Sequence, residues 1–102
     1  MYELTAFQRD LLYITAGLVE PHGLGIKEEI EDYYDKEVNH GRLYPNLDDL
    51  VEMGLIEKTD HDDRTNCYQL TTKGEETINS RNKWAQNKTN TSTEVTMTAS
   101  GD

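Results

Sequence analysis

The chain has 102 residues and 34% apolar content, enough for one small domain with a modest core. Its 20 acidic and 10 basic residues give a formal net charge of −10. One cysteine, Cys67, excludes an internal disulfide framework and cannot build a zinc site alone, so we interpret it as packing. The longest apolar run, residues 11–19, is too short to span a bilayer and follows no basic leader. We therefore expect a cytoplasmic protein that does not enter the membrane.

Two amphipathic helices are predicted in the first third of the chain. Thr5 is placed to cap a first helix running to about Val19. Pro21 and the glycines after it break the chain before a second helix from about Ile26 to Asp35. The apolar stripes are Leu4, Phe7, Leu11, Ile14 and Leu18 in the first helix and Ile26, Ile30, Tyr33 and Tyr34 in the second.

The segment from residue 40 to residue 76 contains the most informative pattern. Leucines and a valine at helical spacing predict a third helix from about Asn39, and Gly54 follows where a left-handed residue would end it. Pro45 lies early in this helix, either in its first turn or at a bend. The runs LIEKT and CYQLT, separated by turn-forming residues 60–66, predict a hairpin. A helix followed at once by a two-stranded hairpin is typical of a winged helix-turn-helix.

The last predicted element is a fourth helix that opens with a capping box of Thr72 and Glu75. It runs to about Trp84 or Asn87, and the polar sequence after it predicts a disordered tail. The expected organisation is a domain over residues 1–86 and a tail over residues 87–102. The fold class is α+β and mainly α, with a three-helix core, a two-stranded wing and a C-terminal helix.

Three motifs resemble the signature of the PadR-like transcriptional regulators. They are R-L-Y-P-x-L-x-x-L from Arg42, M-G-L-I-E from Met53 and Y-x-L-T-x-K-G from Tyr68. The resemblance covers roughly residues 5–84. It implies a homodimeric winged-helix regulator that binds double-stranded DNA, with the tyrosine of L-Y-P, Tyr44, reaching a phosphate. Family members dimerise through a long C-terminal helix or helical pair, whereas recognisable helix here ends near Trp84, so the dimer geometry stays open.

The net charge conflicts with this function, because DNA-binding modules normally carry positive charge. One resolution is a protein of an extreme halophile, haloarchaeal or haloviral, since the Debye length falls to about 3 Å in molar salt. Salt cations between protein carboxylates and phosphates would then assist binding. The other resolution is a winged helix that binds protein, such as an antirepressor or a DNA mimic.

The distribution of charge favours DNA binding over mimicry. Residues 1–60 hold 14 acids and 5 bases, whereas residues 61–102 hold 6 acids and 5 bases. The start of the third helix, residues 39–47, contains Arg42 and no acid. A DNA mimic would be expected to place carboxylates there.

The candidate DNA contacts lie on this helix and on the wing. On the helix they are Asn39, His40, Arg42, Tyr44 and Asn46. On the wing they are His61, Arg64, Thr65 and Asn66. Arg42 can bond guanine O6 and N7 or a phosphate, and its alternative is a surface ion pair with Asp49 or a neighbouring acid. Asn39 is either a helix cap or a DNA contact, and Tyr44 either reaches a phosphate or only packs.

Chemistry at a catalytic or metal centre is not expected. His61, Asp62 and Asp63 are adjacent on a hairpin and cannot converge on one ion without distant partners. The carboxylates of Glu28, Glu29, Glu31 and Asp32 lie on the solvent side of the second helix and predict an acidic surface. The sequence therefore predicts no enzyme and no cofactor. It predicts a homodimeric repressor that binds a pseudo-palindromic operator at high salt.

Overall fold

The computed structural model describes residues 1–19, 21–60 and 66–99. The helices are α1 (Ala6–Gly17), α2 (Gly23–Tyr34), α3 (His40–Glu52) and α4 (Thr72–Ala99). The strands are β1 (Ile56–Asp60) and β2 (Asn66–Leu70), which form one antiparallel sheet. This order confirms the predicted winged helix-turn-helix, with three helices, a two-stranded wing and a final helix.

The starts of α1 and α3 follow from their caps. The Thr5 hydroxyl accepts from the N–H of Gln8, and the Gln8 side chain accepts from the N–H of Thr5, which makes a complete capping box. The Asn39 side chain accepts from the N–H of Arg42 at 2.9 Å. Pro45 lies in the second turn of a continuous α3, where it removes one helical hydrogen bond.

The predicted start of α2 at Ile26 is wrong, because the helix begins at Gly23. Gly23 and Gly25 were expected to break the chain, yet both lie in the first turn. A Cβ at Gly23 would stand 2.6 Å from the Tyr44 hydroxyl oxygen. The glycine there permits close contact between α2 and α3, and it does not end a helix.

The wing begins after a left-handed stop. Gly54 has a φ of +79°, as the sequence predicts, and its N–H donates to the carbonyl of Val51. The strands pair from Ile56 opposite Leu70 to Asp60 opposite Asn66, so each predicted strand is displaced by one residue. The N–H of Tyr68 also donates to the carbonyl of Pro21, which ties the sheet to the segment before α2.

One hydrophobic core joins all these elements. Its fully buried side chains are Leu11, Leu12, Ile26, Ile30, Val38, Leu43, Leu47, Leu50, Ile56, Cys67 and Tyr68. Helices α2 and α3 contribute buried residues at intervals of three or four positions, as burial of one face requires, and α4 contributes Ile78. Cys67 is buried beside this core, as its interpretation as packing predicts. Within the described ranges, no helix is both long and apolar enough to cross a bilayer.

The cap of α4 differs from the prediction. The N–H of Gly74 donates to the hydroxyl of Thr71 at 3.0 Å, so Thr71 caps the helix and the predicted box of Thr72 with Glu75 is wrong. The same hydroxyl donates to the carbonyl of Gly54 at 2.6 Å. Thr71 therefore fastens α4 to the end of α3, a contact that local sequence does not reveal.

The length of α4 also differs from the prediction. Its backbone is helical to Ala99, whereas the sequence predicts an end near Trp84 or Asn87 and a disordered tail beyond. Neither glycine nor proline occurs between Glu75 and Ala99, so no strong helix breaker interrupts α4. Only residues of low helix propensity disfavour its continuation. Among residues 72–90, whose burial the structure describes, Ile78 is the last buried hydrophobic residue.

Candidate nucleic-acid interface

The candidate residues of α3 lie together on its first two turns. Asn39, His40 and Arg42 are exposed, and Tyr44 and Asn46 are partly buried. The opposite face buries Leu43, Leu47 and Leu50. Packing therefore orients α3 so that a neutral and basic segment faces outward near its N-terminus, as an element that enters a DNA groove requires.

Arg42 rests on an aromatic platform formed by Phe7 and Tyr34. Its guanidinium carbon lies 3.9 Å from the centre of the Phe7 ring and 6.0 Å from that of Tyr34. The two rings are 5.9 Å apart and tilted by 57°. Arg42 forms no ion pair within the described part of the chain, so the predicted alternative with Asp49 is not observed. Stacking occupies the face of the guanidinium and leaves the N–H groups at its edge free to donate hydrogen bonds.

Asp10 holds the second ring of this platform. The Tyr34 hydroxyl donates to Asp10 Oδ2 at 2.7 Å. Burial and the hydrogen bond to this carboxylate raise the pKa of Tyr34 to about 12. The tyrosine therefore stays protonated near neutral pH and remains a donor to α1.

Gln8 connects α1 to α3 beside the platform. Its amide nitrogen donates to Asn46 Oδ1 at 3.0 Å and to Asp49 Oδ2 at 3.3 Å. The Asn46 amide also donates to the carbonyl of Arg42 at 2.7 Å. Asn46 therefore uses both its amide oxygen and its amide nitrogen in hydrogen bonds within the protein, and α1 sets its position.

Tyr44 packs between His40 and α2. The His40 and Tyr44 rings are stacked, with centres 5.4 Å apart and planes tilted by 22°. The Tyr44 hydroxyl lies against Gly23 at the N-terminus of α2. The packing alternative for Tyr44 is therefore present, and its hydroxyl lies beside a helix end whose free N–H groups favour anions.

The wing candidates fall largely outside the described residues. Asn66 begins β2 opposite Asp60 and is partly buried. His61, Arg64 and Thr65 lie in the segment 61–65, which is outside the described ranges. Their contacts stay a prediction.

Acidic residues concentrate on α2 and the turn after it. Lys27 Nζ lies 2.7 Å from Glu31 Oε2, the one ion pair in the part of the chain that the structure describes. Hydrogen bonds from Lys27 and from the N–H of Val38 lower the pKa of Glu31. Around them lie Glu28, Asp32, Asp35, Lys36 and Glu37. No group of three or more potential metal ligands converges among the described residues.

Comparison with known proteins assigns this architecture to a family. Residues 11–80 match the family described as the transcriptional regulator PadR-like family. The chain belongs to the PadR-like family. It is therefore a DNA-binding transcriptional regulator, and the family is not one of enzymes.

Solved structures of RosR from H. salinarum resemble this PadR-like chain over nearly its whole length. A complex of RosR with a partner designated S1 gives 44% identity and a TM-score of 0.82, covering 97% of this chain and 95% of that one. RosR from crystals grown from NaBr gives 44% identity and a TM-score of 0.81, with coverages of 98% and 97%. A complex of RosR with S4 gives 44% identity and a TM-score of 0.80, covering 96% of this chain and 91% of that one. A search of curated proteins found no match.

The sequence analysis missed the residues of α1 that hold α3, the helix with the candidate DNA contacts, in position. Phe7 was assigned only to the apolar stripe, and Gln8 and Asp10 were given no role. The spacing Thr5-x-x-Gln8 could have revealed the capping box. No sequence signal could have placed Phe7 beneath Arg42, because the contact joins residues 35 positions apart.

Proposed function

We propose that this PadR-like protein is a homodimeric repressor that binds a pseudo-palindromic DNA operator at high salt, with α3 in the major groove. The observation that carries the proposal is the position of Arg42, stacked on Phe7 at the exposed, acid-free start of α3. A planar guanidinium held by a ring keeps its donor edge available for guanine O6 and N7.

The neighbouring side chains would complete the contact surface. Asn39 and His40 are exposed beside Arg42 and can donate to bases or phosphates. The Tyr44 hydroxyl, next to the first turn of α2, is suited to a phosphate. Asn46 would act mainly by holding α3 to Gln8. On the wing, Arg64 with His61, Thr65 and Asn66 would contact the DNA backbone.

Dimerisation would use α1 and α4. The Tyr13 hydroxyl donates to Asn82 Oδ1 at 2.7 Å, which joins these helices into one surface. Trp84 on α4 is 51% exposed, and the guanidinium of Arg81 lies 4.4 Å from its ring centre. An exposed tryptophan on a helix that extends past the core supports an interface there. A single species of 11.7 kDa by light scattering in molar salt, with and without DNA, would exclude the dimer.

High salt and a cytoplasmic location are parts of the same proposal. The RosR relatives come from H. salinarum, a haloarchaeon, and the net charge of −10 requires screening near a duplex. Salt cations between carboxylates and phosphates would allow binding in molar KCl. A regulator of transcription would act in the cytoplasm.

The experiment that tests the proposed function is selection of bound sequences from a random DNA pool in 2 M KCl. Enrichment of a motif with two half-sites about one helical turn apart is expected. Failure to enrich any sequence, together with binding to a protein partner through α3, would instead support an antirepressor or DNA mimic. The acidic surface of α2 is the feature on which that second candidate depends.

A further inference from the structure

An open cleft between α1 and α2 has no part in the proposed DNA contacts. Its volume is about 460 Å³, and none of its lining residues belongs to α3 or to the wing. Clefts of this size suit small organic ligands.

The lining of the cleft combines aromatic rings with carboxylates. Tyr13 and Tyr33 supply the rings, Asp10 and Glu29 supply the carboxylates, and Ile14 and Leu18 supply apolar surface. None of the lining residues is basic. The Tyr13 ring is held by its hydroxyl bond to Asn82, and Tyr33 is 72% exposed, with its ring centre 5.7 Å from that of Tyr34.

We infer that this cleft binds a hydrophobic organic cation, an aryl- or alkylammonium compound. The faces of tyrosine rings carry partial negative charge and attract cations, and the two carboxylates add full negative charges beside them. An anion would meet Asp10 and Glu29 with no basic partner. A bare metal ion would leave the aromatic and aliphatic walls unused, whereas an ammonium with an apolar substituent contacts both kinds of surface.

The cleft shares Asp10 with the platform of Arg42. One oxygen of Asp10 accepts from Tyr34, whose ring lies beneath the guanidinium of Arg42. A cation beside Asp10 withdraws electron density from this carboxylate, which weakens the hydrogen bond from the Tyr34 hydroxyl and loosens the platform. Ligand binding should therefore weaken operator binding, and this regulatory part rests on the proposed function.

The binding test uses benzyltrimethylammonium as the probe, titrated into the isotope-labelled full chain in 1 M KCl. Amide shifts at Tyr13, Gly17, Glu29 and Tyr33 should saturate with a Kd on the order of 1 mM, as expected for a small ligand. Phenylmethanesulfonate, which has a similar ring and opposite charge, should produce no such shifts. Equal binding of both probes, or shifts elsewhere in the chain, would overturn the site.

Two pairs of variants locate the site without threatening the fold. Nothing lies within 4 Å of a Cβ built at Gly17, so Gly17→Leu fills the cleft and should abolish binding, whereas the exposed neighbour Ala16→Leu should not. Glu29→Gln should weaken binding about fivefold, as loss of an exposed ion pair does. Its matched control Glu28→Gln should leave the Kd unchanged, because Glu28 does not line the cleft.

The final arm separates the site from its regulatory effect. Saturating probe should raise the operator Kd of the native chain severalfold and leave that of Gly17→Leu unaltered. Binding without any change in operator affinity would overturn the coupling through Asp10 and keep the site. Absence of probe binding, with a dimer that dissociates in Gly17→Leu, would overturn the site and identify a second copy of the chain as the occupant. Selection of an operator from random DNA is independent of every one of these results.

Discussion

At the scale of single residues, the proposed DNA contact depends on side chains outside the recognition helix. Arg42 lies over Phe7, and Tyr34 completes the platform through its bond to Asp10. Stacking restricts a long side chain before it meets its ligand, so less conformational entropy is lost on binding. The recognition surface is therefore built jointly by α1, α2 and α3.

Replacement of Arg42 tests this contact directly. Arg42→Ala should cost roughly 1 to 3 kcal/mol in operator binding and relax specificity at one base position. Arg42→Lys should lose much of the same discrimination, because lysine lacks the planar fork. Binding isotherms on operator and scrambled DNA measure both effects. Arg64→Ala is the comparison and should weaken binding to all sequences about equally; unchanged affinity in both folded variants would remove the proposed surface.

The Tyr34 hydroxyl should give a stability contribution that depends on pH. Its pKa is raised from 10.0 to about 12, so the contribution is fully present below pH 10 and is lost as pH rises through about 12. Tyr34→Phe should cost about 1 to 2 kcal/mol of unfolding free energy near neutral pH. The difference between native and variant chains should shrink between about pH 10 and about pH 12. Urea unfolding across that range provides the measurement, and a constant difference would contradict the role of the hydroxyl.

At the scale of elements, close backbone contacts join the wing to α4. The Thr71 hydroxyl caps α4 and bonds the carbonyl of Gly54, which ends α3. A Cβ at Gly74 would stand 2.2 Å from the carbonyl oxygen of Leu55. The start of α4, the wing and the end of α3 are thus packed too tightly for independent movement.

The position of the α4 cap can be checked by a pair of neighbouring substitutions. Thr71→Ala should destabilise the chain by about 1 to 2 kcal/mol, because it removes a cap and a bond between elements. Thr72→Ala should change stability by less than about 0.5 kcal/mol, since Thr72 is an exposed first-turn residue. Thermal melts of both variants distinguish the two threonines. A larger effect at Thr72 would restore the cap that the sequence predicts.

Two glycines should respond in opposite directions to the same added methyl group. Gly74→Ala should destabilise the chain by about 3 kcal/mol, because the methyl would overlap a backbone carbonyl that cannot move freely. Gly25→Ala should be neutral or stabilise it by up to about 0.5 kcal/mol, since nothing lies within 4 Å and alanine favours helix. Urea unfolding gives both values. Similar results at the two sites would show that the α4 contact with Leu55 is loose.

At the scale of the whole molecule, charge determines how the protein depends on salt. The acids of α2 and its following turn outnumber the local lysines, and one close ion pair is present among the described residues. Repulsion within a net charge of −10 opposes the compact state in dilute buffer. Screening by molar salt removes much of this cost.

The melting temperature should therefore rise from dilute buffer to molar KCl. Operator affinity should hold or increase between about 0.5 and 2 M, in contrast to the fall that counterion release alone produces. Calorimetry and binding isotherms across one KCl series measure both quantities. A chain that is fully folded at 50 mM salt, with affinity that falls steadily from there, would contradict a halophilic mode of action. Reversing Glu28, Asp32 and Asp35 to lysine should flatten the dependence of stability on salt.

The sequence by itself determined the order of elements, the cap at Thr5, the stop at Gly54 and the family, and it left Asn39 as either a cap or a DNA contact. These features are local, since a cap, a left-handed residue or an apolar period involves residues within a few positions of one another. The acid-free start of α3 was likewise visible as a continuous stretch. The sequence placed each strand one residue away from its observed position and started α2 three residues late. These bounds depend on partners elsewhere in the chain, which local patterns do not reveal.

Only the tertiary structure decided how the candidate site is assembled. It placed Phe7 under Arg42, Asp10 on Tyr34, Gln8 on Asn46 and Thr71 at the end of α3. Each contact joins residues far apart in the chain, so it depends on how the helices pack and leaves no periodic signal. The same packing made Gly23 and Gly74 points of close approach, where the sequence alone indicates only a helix breaker or a motif glycine. Long-range packing therefore decided which side chains surround Arg42, whereas local chemistry decided which helix carries it.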